Sequence, residues 1–133
     1  MPMQLHDIPG MHESLVFIPA VGSGESTTEF PLFVAPFDAT IKTVQLSFGS
    51  AAVGDATNRF NFNLIYKGTG SGSAEIANLD LAAGTTATAF APYSLFSGTQ
   101  DISESEVVSL QYEKVSGGFN VAPVVVRVRF VGA

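Results

Sequence analysis

Both histidines of the chain lie in one short stretch, "LHDIPGMHE" from Leu5 to Glu13. Each is followed by a carboxylate: His6 by Asp7, and His12 by Glu13. Two imidazoles and two carboxylates are a donor set that zinc or iron accepts. The histidines are six positions apart with Pro9 and Gly10 between them. They therefore cannot share a helix face as an H-E-x-x-H pair does. A metal-binding jelly roll of the cupin kind would set its histidines on core strands as a close G-x-H-x-H pair. That pattern is absent, and no candidate strand is expected to carry a histidine. The two imidazoles therefore read as surface or interface groups.

Other chemistries are poorly served. There is no cysteine, which removes thiolate metal sites, cysteine nucleophiles and disulfides. No G-x-S-x-G elbow accompanies the serines, and a triad would have to borrow its histidine from an N-terminal segment that is a poor rigid scaffold. Glu104 and Glu106 could pair for glycoside hydrolysis if "SESEVV" were extended. They are expected in a turn, and without tryptophan there is no stacking plate for a sugar. Tyr66, Tyr93 and Tyr112 are expected in the core or at its rim. Asp55 and Asn58 in "GDATN" suit an Asx turn better than calcium, since the EF-hand pattern is missing. "KGTGSGS" lacks the G-K-[ST] ending of a phosphate loop and reads as a hairpin tip. The expected protein is not an enzyme and needs no cofactor.

The elements around these residues are strands. Of the 133 residues, 46% are hydrophobic and 14% are charged. That is the composition of one folded domain and the reverse of a disordered one. Alternation with period two marks "TVQLSF" (43–48), "RFNFNLIY" (59–66), "VVSLQYEKV" (107–115) and "VVVRVRF" (124–130), the signature of half-buried strands. In the second, Phe60, Phe62, Leu64 and Tyr66 share one face, and Asn61 and Asn63 the other, a wet or edge-facing side. "ESLVFIP", "TEFPLFVA", "AEIANLDL" and "ATAFAPYSL" are less regular strands, with Pro31 demoting the second to an edge or a bulge. Glycine-rich turns, among them "FSGTQD", punctuate the series. The expected fold is all-β: a jelly-roll-like or Greek-key β-sandwich of about eight strands over residues 15–133, preceded by an extended N-terminal arm over residues 1–14.

Charge and hydropathy bound the partners. Net charge is −6 and the six basic residues are scattered, so nucleic acid is not an expected partner. "LAAGTTATAFAPYSLFSGTQ" (81–100) is uncharged but too rich in Thr, Ser, Gly and Pro to span a bilayer, and no membrane partner is expected. The N-terminus lacks a basic region followed by an apolar run, so a signal peptide is not expected. The arm carries Met1, Met3, Leu5, Ile8 and Met11, apolar groups with no place in the domain. Laid in a partner's groove they would be buried at ~25 cal/mol per Å², and methionine adapts to irregular surfaces.

The segments "FVAPFDATIKTVQLSF", "GSAEIANLDLAAGTTAT", "ISESEVVSLQYEKVSGG" and "APVVVRVRF" follow one another in an order that resembles the decoration, or cement, proteins of tailed-bacteriophage heads. The resemblance covers most of the chain after the arm. It implies a structural protein of the outer capsid surface, assembled in the host cytoplasm. It also implies a homotrimer that bridges neighbouring major capsid proteins, with an N-terminal arm reaching across to them. It carries over no catalytic residue. Similar β-modules occur in phage fibres, so a receptor- or glycan-binding head is the alternative, with its site on the loops over 49–58 or 68–73.

Overall fold

The computed structural model describes residues 10–82 and 85–133. Among them are ten strands: β1 (His12–Ile18), β2 (Thr28–Val34), β3 (Ala39–Phe48), β4 (Ala52–Val53), β5 (Arg59–Gly68), β6 (Ala74–Asp80), β7 (Thr86–Ala87), β8 (Tyr93–Ile102), β9 (Val107–Val115) and β10 (Val124–Gly132). Eight of them build two four-stranded sheets, ordered β1-β10-β3-β8 and β2-β9-β5-β6, and β4 pairs with β7 in a short ribbon. All pairings are antiparallel.

The order has a simple logic. Leaving out the short ribbon, the first strand pairs with the last, the second with the seventh, the third with the sixth and the fourth with the fifth. A long hairpin folded over on itself gives this nested pairing, and it is the jelly-roll arrangement of an all-β sandwich.

The sequence pattern explains the packing. In β10, Val124, Val126, Val128 and Phe130 point inward and are buried, while Val125, Arg127 and Arg129 point outward. β3 and β9 contribute Val44, Leu46 and Phe48, and Val108, Leu110 and Tyr112, all with no measurable exposure. Aromatic rings fill the space between the sheets. Phe62 meets Tyr112 edge-on at 4.8 Å and Phe48 at 5.5 Å. Such geometry suits the ring quadrupoles. Burial pushes the Tyr112 phenol pKa up.

Four expectations need correction. The 15–133 boundary starts the domain too late: β1 opens at His12, and His12 to Ser14 pair with Phe130 to Val128. A strand therefore does carry a histidine. His12 faces the sandwich because it shares the inward parity of Val16 and Ile18, and its ring packs against Phe37 and Phe130. "FSGTQD" is not a turn but the middle of β8. Gly98 and two register shifts against β3 let that strand bend and continue. Finally, Asn63 is buried rather than wet.

Candidate interaction surface

The five residues proposed for partner contact divide between described and undescribed parts of the chain. Met1, Met3, Leu5 and Ile8 lie outside the described residues, as does His6. Met11 is described: it is 52% exposed and immediately precedes β1.

The carboxylates weighed for catalysis have local partners. Glu104 and Ser105 form a turn, so "SESE" is not extended. Glu106 accepts hydrogen bonds from the Tyr66 hydroxyl and, at 2.8 Å, from the Ser103 amide. The Tyr66 bond, then the Ser103 amide, hold the Glu106 carboxyl below the usual carboxylate range, and Tyr66 is raised in return. Asp55 accepts from the amides of Asn58 at 2.7 Å and Thr57 at 2.8 Å, and those two bonds lower its pKa. This is the Asx turn expected from "GDATN". Lys67 and Glu29 form an ion pair at 3.0 Å. Gly70 and Gly72 both donate to the Lys67 carbonyl, which closes the β5–β6 hairpin tip. Among the described residues no three His, Cys, Asp or Glu side chains come together as a metal site.

The three most exposed large apolar groups, Phe90, Leu15 and Phe17, converge elsewhere, on the outer face of β1-β10-β3-β8, whereas Val34 and Val53 lie apart on β2 and β4. Along β1 the outward parity selects Glu13, Leu15 and Phe17. Leu15 and Phe17 are each 65% exposed. They sit opposite Arg127 and Val125 of β10, which in turn face Gln45 and Ser47 of β3. Glu13 binds Arg129 at 2.7 Å, and Arg127 binds Gln45, so the charges at this end are already engaged.

Phe90 completes the surface. It is 82% exposed and has φ of 57°. That is a left-handed conformation which a bulky residue rarely adopts. One hydrogen bond anchors it: its amide donates to the Phe48 carbonyl at 2.8 Å. Phe90, Phe17, Phe48, Gly49, Pro123 and Val125 enclose an open recess of about 320 Å³. A second, of about 160 Å³, shares Ser47 and Val125 with it and reaches Leu15 and Pro92. The result is a continuous apolar strip on one side of the sandwich. Surfaces of this kind, with aromatic groups projecting from a rigid sheet, mark contact sites for other macromolecules.

Only part of this strip is signalled in the sequence. "SLVFI" is apolar at every position but the first, so alternation cannot tell which of its side chains face out. Phe90 in "ATAFAPYSL" looks like any core phenylalanine, and its left-handed backbone has no marker in the residue type.

No family model and no curated protein matches the chain. Among solved structures, a chain from work titled "Bacillus endospore appendages form a novel family of disulfide-linked pili" is similar in outline. It is 9% identical with a TM-score of 0.40, over 100% of this chain and 98% of that one. No helix among the described residues is long and apolar enough to cross a membrane.

Proposed function

We propose that this chain is a virion structural protein that decorates the outer capsid surface and cements neighbouring major capsid proteins. Its N-terminal segment makes partner contacts through Met1, Met3, Leu5, Ile8 and Met11. The observation that carries the reading is the apolar strip of Leu15, Phe17, Phe90 and Val125 on the outside of a jelly roll. A protein whose task is to hold to a protein lattice has use for such a strip. Phe90 is fixed in a left-handed conformation that keeps its ring outside the core, and such backbone strain persists where the surroundings over-determine it. The order of segments that resembles phage decoration proteins supports the same reading. Copies arranged by the symmetry of a lattice would multiply contacts that are individually weak.

Two variants test it. Deleting residues 1–11 leaves β1 to start at His12 and should leave the sandwich folded while occupancy on purified particles falls at least tenfold. The double substitution Phe17→Ser with Phe90→Ser should lower occupancy by a similar factor. Full occupancy by both variants on particles that carry the unaltered protein would remove the support for this reading.

A further inference from the structure

Four strands form the edges of the two sheets: β1 and β8 in one, β2 and β6 in the other. An edge strand offers unpaired amides and carbonyls to any passing strand, and proteins blunt such edges with proline, bulges or charge. Three of the four edges here are blunted. β2 contains Pro31 and a register shift between Pro31 and Phe33. β8 shifts twice against β3. β6 borders a shift between Leu64 and Ile65 of β5. β1 is different. It runs in unbroken register with β10 from His12 to Ile18, with no proline, no glycine and no bulge. Among the described residues no strand pairs with its other side.

We propose that the free edge of β1 is a self-association surface, where a second copy of this chain adds its own β1 antiparallel across a two-fold axis. The occupant follows from the edges themselves: β1 of another copy is the one strand edge among the described residues as regular as this one. The side chains then fix the register. With the axis at Val16, Leu15 lies opposite Phe17 of the second copy and Phe17 opposite its Leu15, an isologous contact. Glu13 falls beside Pro19 of the other copy, clear of both apolar pairs. With the axis at Leu15 instead, each Phe17 would face a Glu13 that is already bound to Arg129.

The area is of the right order. Leu15, Phe17 and Met11 are 65, 65 and 52% exposed. At roughly 150–200 Å² for a full side chain of this size, they present on the order of 300 Å² per copy. That is under half the ~800 Å² per partner of a standard interface, and the paired backbones contribute the rest of the contact. The contact joins two sheets into one of eight strands and leaves the recess under Phe90 facing outward. It concerns the purified chain alone and does not depend on capsid binding.

The chain contains no cysteine, so cross-linking reports the register directly. Full-length Leu15→Cys and Phe17→Cys proteins should cross-link when mixed, through a disulfide or a short bismaleimide, at least fivefold more than either alone. Sedimentation velocity should show dimers of the unaltered chain that Phe17→Lys weakens tenfold or more, with unchanged thermal unfolding of the separated chains. Three results would overturn the proposal: a chain that stays monomeric up to millimolar concentration, stronger cross-linking of Leu15→Cys alone than of the mixture, or dimers that form only after residues 1–9 are removed. The last would assign the edge to the chain's own N-terminal segment.

Discussion

The two outer faces of the sandwich are made from the same kind of strand and finished in opposite ways. On β2-β9-β5-β6 the outward positions of the inner strands are largely amides and charges that bind one another across the strands, while Pro31 and Val34 of β2 are apolar and exposed. Asn78 donates to Asn63, and Asn63 donates to Gln111 at 2.9 Å. Asn61 reaches Glu113 at 3.4 Å and Arg59 holds Asp80 at 2.6 Å. The network is close enough to leave Asn63 only 1% exposed. On β1-β10-β3-β8 the Arg127–Gln45 and Arg129–Glu13 pairs occupy one region, and Leu15, Phe17, Val125 and Phe90 the rest. The first face binds most of its polar groups to one another, with Asn61 Oδ1 and Ser109 Oγ left without a hydrogen-bond partner. The second leaves hydrocarbon in water, a cost that assembly would remove. A β-domain can thus be largely polar on one outer face and expose apolar groups on the other without any change of fold.

Substitutions separate the faces by size of effect. The core is common to both, so Phe62→Ala should destabilise the protein by about 3–5 kcal/mol, measured by denaturant unfolding. If the cost is below about 1 kcal/mol, far under the usual range for such a truncation, the two sheets do not share the packing described. Asn63→Ala should cost ~1–3 kcal/mol, because it strands the polar partners of a buried amide, yet leave association and particle occupancy unchanged. A neutral Asn63→Ala would mean that the polar face owes nothing to its amides.

The next effect is in acid. Glu106 and Asp55 have folded pKa values below their unfolded ones. Such groups contribute stability that is present above the unfolded pKa of ~4 and lost as pH falls through the folded values. The midpoint of thermal unfolding should be flat from neutral pH to about 5 and drop below ~4, and Glu106→Gln should make that drop shallower. Smallest of all should be Phe17→Ser and Phe90→Gly, each within about 0.5 kcal/mol of the unaltered protein. The glycine relieves a left-handed backbone and can even raise stability slightly. A loss above about 2 kcal/mol in either, a size reserved for structural positions, would turn the exposed apolar face into a structural one.

Much of the fold can be read from alternation. β3, β5, β9 and β10 each show a clear period of two, and Pro31 correctly marks an edge strand with a bulge. Where reading fails, the physical reasons are specific. Gly98 and its neighbours look like a turn, but a bulged strand tolerates glycine where the chain must bend. His12 looks like part of an arm because a histidine next to a proline and a glycine has no strand signature, although its parity with Val16 places it inward. Asn63 looks wet because sequence shows its own strand and not the Asn78 and Gln111 side chains that cover it. The exposed apolar face is the hardest to see. In "SLVFI" both faces are apolar, and only the pairing of β1 with β10 decides that Leu15 and Phe17 are the pair left outside.

The central claim is that the apolar face binds a particle while the polar face does not. Quantitative mass spectrometry of purified virions tests it most directly, comparing copy number for the unaltered chain, Phe17→Ser with Phe90→Ser, and Asn61→Ser. Stoichiometric incorporation of the first and third and at least a tenfold loss of the second are expected. Equal incorporation of all three, or absence of the unaltered chain from the particle, would contradict it.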